Sequence, residues 1–109
     1  MSFTASKSAM SSETLVDYLN NFDATNRDIE SVPGVGPAAR EAFEEAGIHS
    51  VQALVGRLLA HCTTDNTCHD AYEQFYTEIH DIAPRANGHT ITFAVASVAD
   101  HLGLLIWED

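Results

Sequence analysis

The chain has 109 residues, and its sixteen Asp and Glu outweigh five Lys and Arg to give a formal net charge of −11. That length implies one domain with a modest core, which a dimer would enlarge. The charge excludes the broad basic face that non-specific nucleic-acid binders bring, because Lys7, Arg27, Arg40, Arg57 and Arg85 are scattered along the sequence.

The acidity points to a solvated surface or to a partner with a basic one. No apolar run is long enough to span a bilayer, so no membrane insertion is expected, and Met1–Met10 lacks the apolar core of a signal peptide. An intracellular protein is the expectation, in a nuclear or a cytoplasmic or cytoskeletal assembly. Residues 1–10, rich in Ser, Thr and Ala, read as a polar tail, residues 11–103 as one helical domain, and residues 104–109 as an apolar and acidic tail.

Ser11 or Ser12 caps the first predicted helix, with Glu13 in its first turn and Leu15, Tyr18, Leu19 and Phe22 on one face. The polar run Asp23–Asn26 ends it. A short helix over about Arg27–Ser31 leads into Val32-Pro33-Gly34-Val35-Gly36-Pro37, where two glycines predict a tight hairpin using positive φ. Pro37 suits the first position of the next helix, and Gly47 suits its stop. The helix presents Ala39, Ala42, Phe43 and Ala46 inward and Glu41, Glu44 and Glu45 outward. Ser50 caps a helix from Val51 to about Ala60, whose buried stripe is Val51, Leu54, Val55, Leu58 and Leu59.

His61–Thr67 reads as a loop, and Asn66 or Thr67 starts a helix carrying Ala71, Tyr72, Phe75, Tyr76 and Ile79 on one face. That aromatic stripe reads as core, with room for one tyrosine to face a dimer partner. Pro84 ends the helix and Asn87-Gly88 reads as a turn. Thr90 then caps a last helix through about Leu102, carrying Ile91, Val95, Val98 and Leu102 with Phe93 and Ala94 beside them. The fold class is therefore a compact all-α domain built around a helix-hairpin-helix.

The exposed amides at Gly34 and Gly36 and the start of the following helix can hold a phosphate, and the hairpin carbonyls a monovalent cation. The same unit also serves as a plain folding element. The pairs His61-Cys62 and Cys68-His69 bring zinc-type ligands, but structural zinc sites space their cysteines about two to four residues apart. No metal or other cofactor is assigned, and the two cysteines read as free thiols. There is no nucleophile elbow, no lysine-bearing phosphate loop, and His80 beside Asp81 makes no triad; no catalytic residue is assigned and the protein reads as a non-enzyme. Leu104, Leu105, Ile106 and Trp107 form a terminal apolar patch, which reads either as an anchor for another chain or as a segment folded back on its own domain.

The order of these elements, S-V-P-G-V-G-P-A-A-R-E-A-F-E-E-A-G-I, then V-Q-A-L-V-G-R-L-L, then A-Y-E-Q-F-Y and a final helix, resembles the barrier-to-autointegration factor family over about residues 15–102. The match is tightest from Ser31 to Ile48 and keeps Gly34, Val35, Gly36, Phe43, Glu44, Glu45, Gly47 and Ile48 as same or similar residues. The resemblance implies a small SAM-like all-α homodimer that grips the backbones of two DNA duplexes without reading sequence, and binds a helical protein domain across the dimer. The family's lysines after the hairpin read Glu41 and Ala42 here, its basic residue near the last helix reads Thr92, and its basic N-terminal segment reads Ser12-Glu13-Thr14. Arg40 is the cation left beside the hairpin.

The expected function is therefore a non-enzymatic protein-interaction or structural subunit, dimeric or part of a larger assembly. The alternative is sequence-independent binding and bridging of double-stranded DNA through Gly34, Val35, Gly36, Ala38 and Arg40.

Overall fold

A computed structural model of the chain describes residues 12–22, 28–63 and 68–104, with the side chains of 12–14 and 68 set aside. All regular structure among these residues is helical. Five α-helices follow in order: α1 (Ser12–Asn20), α2 (Pro37–Glu45), α3 (Val51–Ala60), α4 (Cys68–Ile82) and α5 (Gly88–His101). A single 3₁₀ turn, Ile29–Ser31, precedes α2. The expected polar tail at residues 1–10, the run Asp23–Asn26 with Arg27, and Leu105, Ile106 and Trp107 lie outside the described residues.

The helix α5 is the axis of the domain. It packs against α1, α3 and α4, and Ile91, Ala94, Val95, Ala96, Val98 and Ala99 are all buried. A helix that is apolar nearly all round must be enclosed by others, and its alanines let three helices approach closely. Burial extends beyond the expected Ile91, Ala94, Val95 and Val98 to Ala96 and Ala99, while Leu102, expected with them, is exposed at the C-cap. The aromatic stripe of α4 is core, with Tyr72 and Phe75 fully buried and Tyr76 nearly so.

Local signals set the helix ends. The Ser50 hydroxyl accepts from the Ala53 amide at 3.1 Å and starts α3 as expected. Gly47 follows α2 at φ +86°; its amide donates to Glu44 and the Ile48 amide donates to Phe43 at 2.8 Å, a Schellman stop that drives Ile48 into the core. The start of α5 differs from expectation. Asn87, not Thr90, is its N-cap, and the Asn87 side chain accepts from the Thr90 amide at 3.1 Å. Gly88 is helical, and a Cβ there would fall 2.9 Å from the Tyr76 ring. The absence of a side chain lets α5 begin against Tyr76, so the predicted Asn87-Gly88 turn becomes a helix start.

Side-chain bonds tie α3 to α4. Glu78 accepts from Arg57 at 2.9 Å and lies 3.2 Å from His61 Nε2, whose other ring nitrogen faces the Gln74 carbonyl oxygen at 3.2 Å.

Candidate functional site

Local chemistry builds the Gly34–Gly36 turn. Asp28 caps the 3₁₀ turn by accepting from the Glu30 amide at 3.0 Å, and the Val35 amide donates back to the Val32 carbonyl at 3.0 Å. Gly34 takes φ +94°, a conformation L side chains resist. A Cβ on it would also stand 2.9 Å from Ile91 Cγ1 and 3.3 Å from Thr90 Cγ2, so the turn is pressed against the first turn of α5. Gly36 does not share this need. It sits at φ −101° in extended backbone, and a Cβ would meet nothing within 4 Å. The expectation of positive φ at both glycines therefore holds only for Gly34.

Gly36 is the N-cap of α2 and supplies no side-chain cap, and Pro37 opens the helix as expected. The first-turn amides of α2 thus lack a side-chain acceptor at their head and carry the positive end of the helix dipole. Gly34, Gly36 and Ala38 are exposed, whereas Val35 turns into the core.

This turn forms one wall of a groove of about 570 Å³. Gly36, Ala38 and Ala42 line it on the α2 side, and Ile82, Pro84 and Arg85 on the side of α4 and the α4–α5 connection. The walls are small and apolar, and Arg85 is the one charged residue among the described residues that line them. Arg85 has no ion-pair partner among the described residues.

Arg40 behaves otherwise. Its guanidinium lies 3.2 Å from Glu30 and 3.9 Å from Glu44, so the cation that sequence places beside the turn is already paired with carboxylates. Thr92 has no exposed surface, so its side chain takes no part in the face of the domain around the turn.

Sequence reasoning missed Arg85. Pro84 and Asn87-Gly88 are legible as breakers, but nothing local says that the connection they make returns to the α2 turn. Of the four His and Cys residues, His61 is engaged with Gln74 and Glu78, His69 lies 3.9 Å from Glu73, and the exposed Cys62 thiol donates to the Leu58 carbonyl oxygen at 3.8 Å, while the Cys68 side chain lies outside the description. Among the described residues no group of three or more His, Cys, Asp and Glu is placed to hold a metal ion, and no helix is long and apolar enough to cross a membrane. Comparison with family models, with curated proteins and with solved structures returns no match to this chain.

Proposed function

We propose that this protein is a non-enzymatic interaction module of the helix-hairpin-helix type, and that it docks an apolar segment of a protein partner in the groove between the Gly34–Gly36 turn and the α4–α5 connection. One observation carries the reading: the groove is walled by Gly, Ala, Pro and Ile while the neighbouring Arg40 is held by Glu30 and Glu44. Apolar side chains gain from burial in such a groove. A carboxylate on the partner would pair with Arg85 and accept from the uncapped amides of α2. The volume, about 570 Å³, falls in the range of ordinary binding clefts.

The second reading is sequence-independent binding and bridging of double-stranded DNA. Arg85 beside the open end of α2 favours it, since a phosphate suits both. The net charge of −11 opposes it.

Two titrations separate them, on the wild type, Gly36→Phe and Arg85→Glu. Gly36 is exposed with open space at its Cβ, so phenylalanine there blocks the groove without disturbing the core. Peptides selected from a random library on the wild type are expected to be apolar with a flanking acid, and to lose binding to Gly36→Phe. A labelled DNA duplex at low salt with potassium present is expected not to saturate. Saturable duplex binding that weakens with salt and vanishes in Arg85→Glu would replace the protein-docking reading with the DNA one.

A further inference from the structure

Two separate demands meet at the start of α5. The Asn87 side chain caps the helix by accepting from the Thr90 amide at 3.1 Å. A Cβ at residue 88 would fall 2.9 Å from the Tyr76 ring, so that position takes glycine. Capping and packing together impose an Asn-Gly pair. Asn87 is the one asparagine of the chain followed by glycine; those at 20, 21, 26 and 66 precede Asn, Phe, Arg and Thr.

An Asn-Gly pair carries its own chemistry. The backbone nitrogen of the glycine attacks the side-chain Cγ of the asparagine, and no Cβ on the glycine stands in its way. The N–Cγ bond forms as the nitrogen gives its proton to water. The Cγ–Nδ2 bond then breaks, and ammonia leaves with a proton from solvent. Water opens the resulting five-membered imide. Opening at Cγ gives aspartate; opening at the main-chain carbonyl gives isoaspartate, with the chain running through the former side chain. One water is consumed, one ammonia is released, and one negative charge is gained.

The site both permits and guards this reaction. Asn87 is exposed, so water reaches its amide. Gly88 is the first residue of α5, so its amide has no intrahelical acceptor, and the positive end of the helix favours loss of its proton. The guard is the cap bond, which holds the Asn87 side chain, together with Tyr76, against which Gly88 is buried. Attack on Cγ therefore follows opening of the first turn of α5.

We propose that Asn87-Gly88 is a latent modification site, which deamidates when the start of α5 opens and leaves a carboxylate on the hairpin groove. Asn87 and Arg85 both line that groove. Aspartate caps a helix as well as asparagine does, so the aspartate product keeps α5 and stays on the groove. Its charge competes for Arg85 and repels an acid on the incoming segment. This consequence, unlike the modification itself, rests on the docking reading above. The isoaspartate product has turned its capping group into main chain and leaves the first turn without its side-chain cap.

Trypsin cuts after Arg85 and releases Ala86–Asp109, in which Asn87 is the sole side-chain amide. A gain of one mass unit in that fragment therefore reports on this site alone, and enzymatic methylation counts the isoaspartate. The folded protein and the same chain unfolded in urea are aged side by side at mildly alkaline pH. Both are expected to convert, the folded protein roughly tenfold or more slowly, because local opening precedes attack. Equal rates overturn the guarded site. A folded protein that stays unmodified while the unfolded chain converts overturns the modification. Asn87→Asp tests the groove: it should bind an acid-bearing library peptide several-fold more weakly than the wild type, and the carboxamide form of that peptide equally. Unchanged binding of the acidic peptide overturns the effect on the groove. A wild type that binds no peptide fails the docking reading and removes that effect with it, while the mass readout still decides the modification.

Discussion

The two glycines of the α2 turn look equivalent in sequence and should respond oppositely to the same change. At Gly34 an alanine must take φ +94° and place its Cβ 2.9 Å from Ile91 Cγ1 and 3.3 Å from Thr90 Cγ2. The positive φ costs about 1–2 kcal/mol. Pushing into the packed first turn of α5 costs about 1–3 kcal/mol more. Ile91 is fully buried and cannot swing away cheaply, so we expect Gly34→Ala to lose about 2–5 kcal/mol. At Gly36 the backbone is extended and the space open. Gly36→Ala is expected within about 0.5 kcal/mol of wild type, since restriction of the unfolded chain offsets the loss of a good N-cap residue. Urea unfolding followed by circular dichroism at 222 nm, an ordinary helix wavelength, measures both, with a constant m-value as the control for two-state behaviour. Equal losses at the two positions, or a Gly34→Ala variant as stable as wild type, would refute the claim that the turn is wedged against α5.

Three further outcomes are expected. Thr92→Val should raise stability by about 1 kcal/mol in the same urea assay, because the fully buried Thr92 hydroxyl has no hydrogen-bond partner among the described residues and valine keeps the shape. Asn87→Ala should lower it by about 1 kcal/mol by removing the side chain that caps the Thr90 amide. Burial pushes the Tyr18 phenol up from 10.0 to about 12. The unfolded chain therefore loses this proton first. The Tyr18 contribution is complete below pH 10 and is lost as pH rises towards 12. Stability measured against pH should fall in that window for wild type and less steeply for Tyr18→Phe.

The fold was legible where a residue acts on its own backbone. Ser50, Pro37 and Gly47 mark helix ends by local chemistry, and the structure places each at the expected cap or stop. The apolar spacing of α3 and α4 likewise gives their buried faces. Failures arise where the deciding contact comes from elsewhere. Asn87 and Thr90 are both plausible caps, and the choice between them is made by Tyr76, whose ring admits only a side-chain-free residue at 88. Gly34 and Gly36 are the same residue type, and only the approach of Thr90 and Ile91 separates them. Arg40 is adjacent to the turn in sequence yet committed to Glu30 and Glu44, while Arg85, remote in sequence, lines the groove. Candidate sites are therefore less legible than helices, because a site is a set of tertiary neighbours.

The same distinction resolves an apparent conflict in charge. A protein of net charge −11 should repel an acidic ligand. Net charge acts over distance, however, and at physiological ionic strength exposed charges are screened beyond about 8 Å. Inside the groove the nearby sources decide: the Arg85 guanidinium and the uncapped start of α2, set between low-dielectric walls of alanine, proline and isoleucine. On the proposed reading, the apolar walls would supply affinity for a short segment, and the local positive end would select among such segments for one with a carboxylate. A long polyanion must also lie across the surrounding surface, where Glu41, Glu44 and Glu45 are exposed. A short peptide need not. The proposed protein-docking reading therefore needs one arginine at the groove, whereas the duplex reading would need many cations on the surface around it.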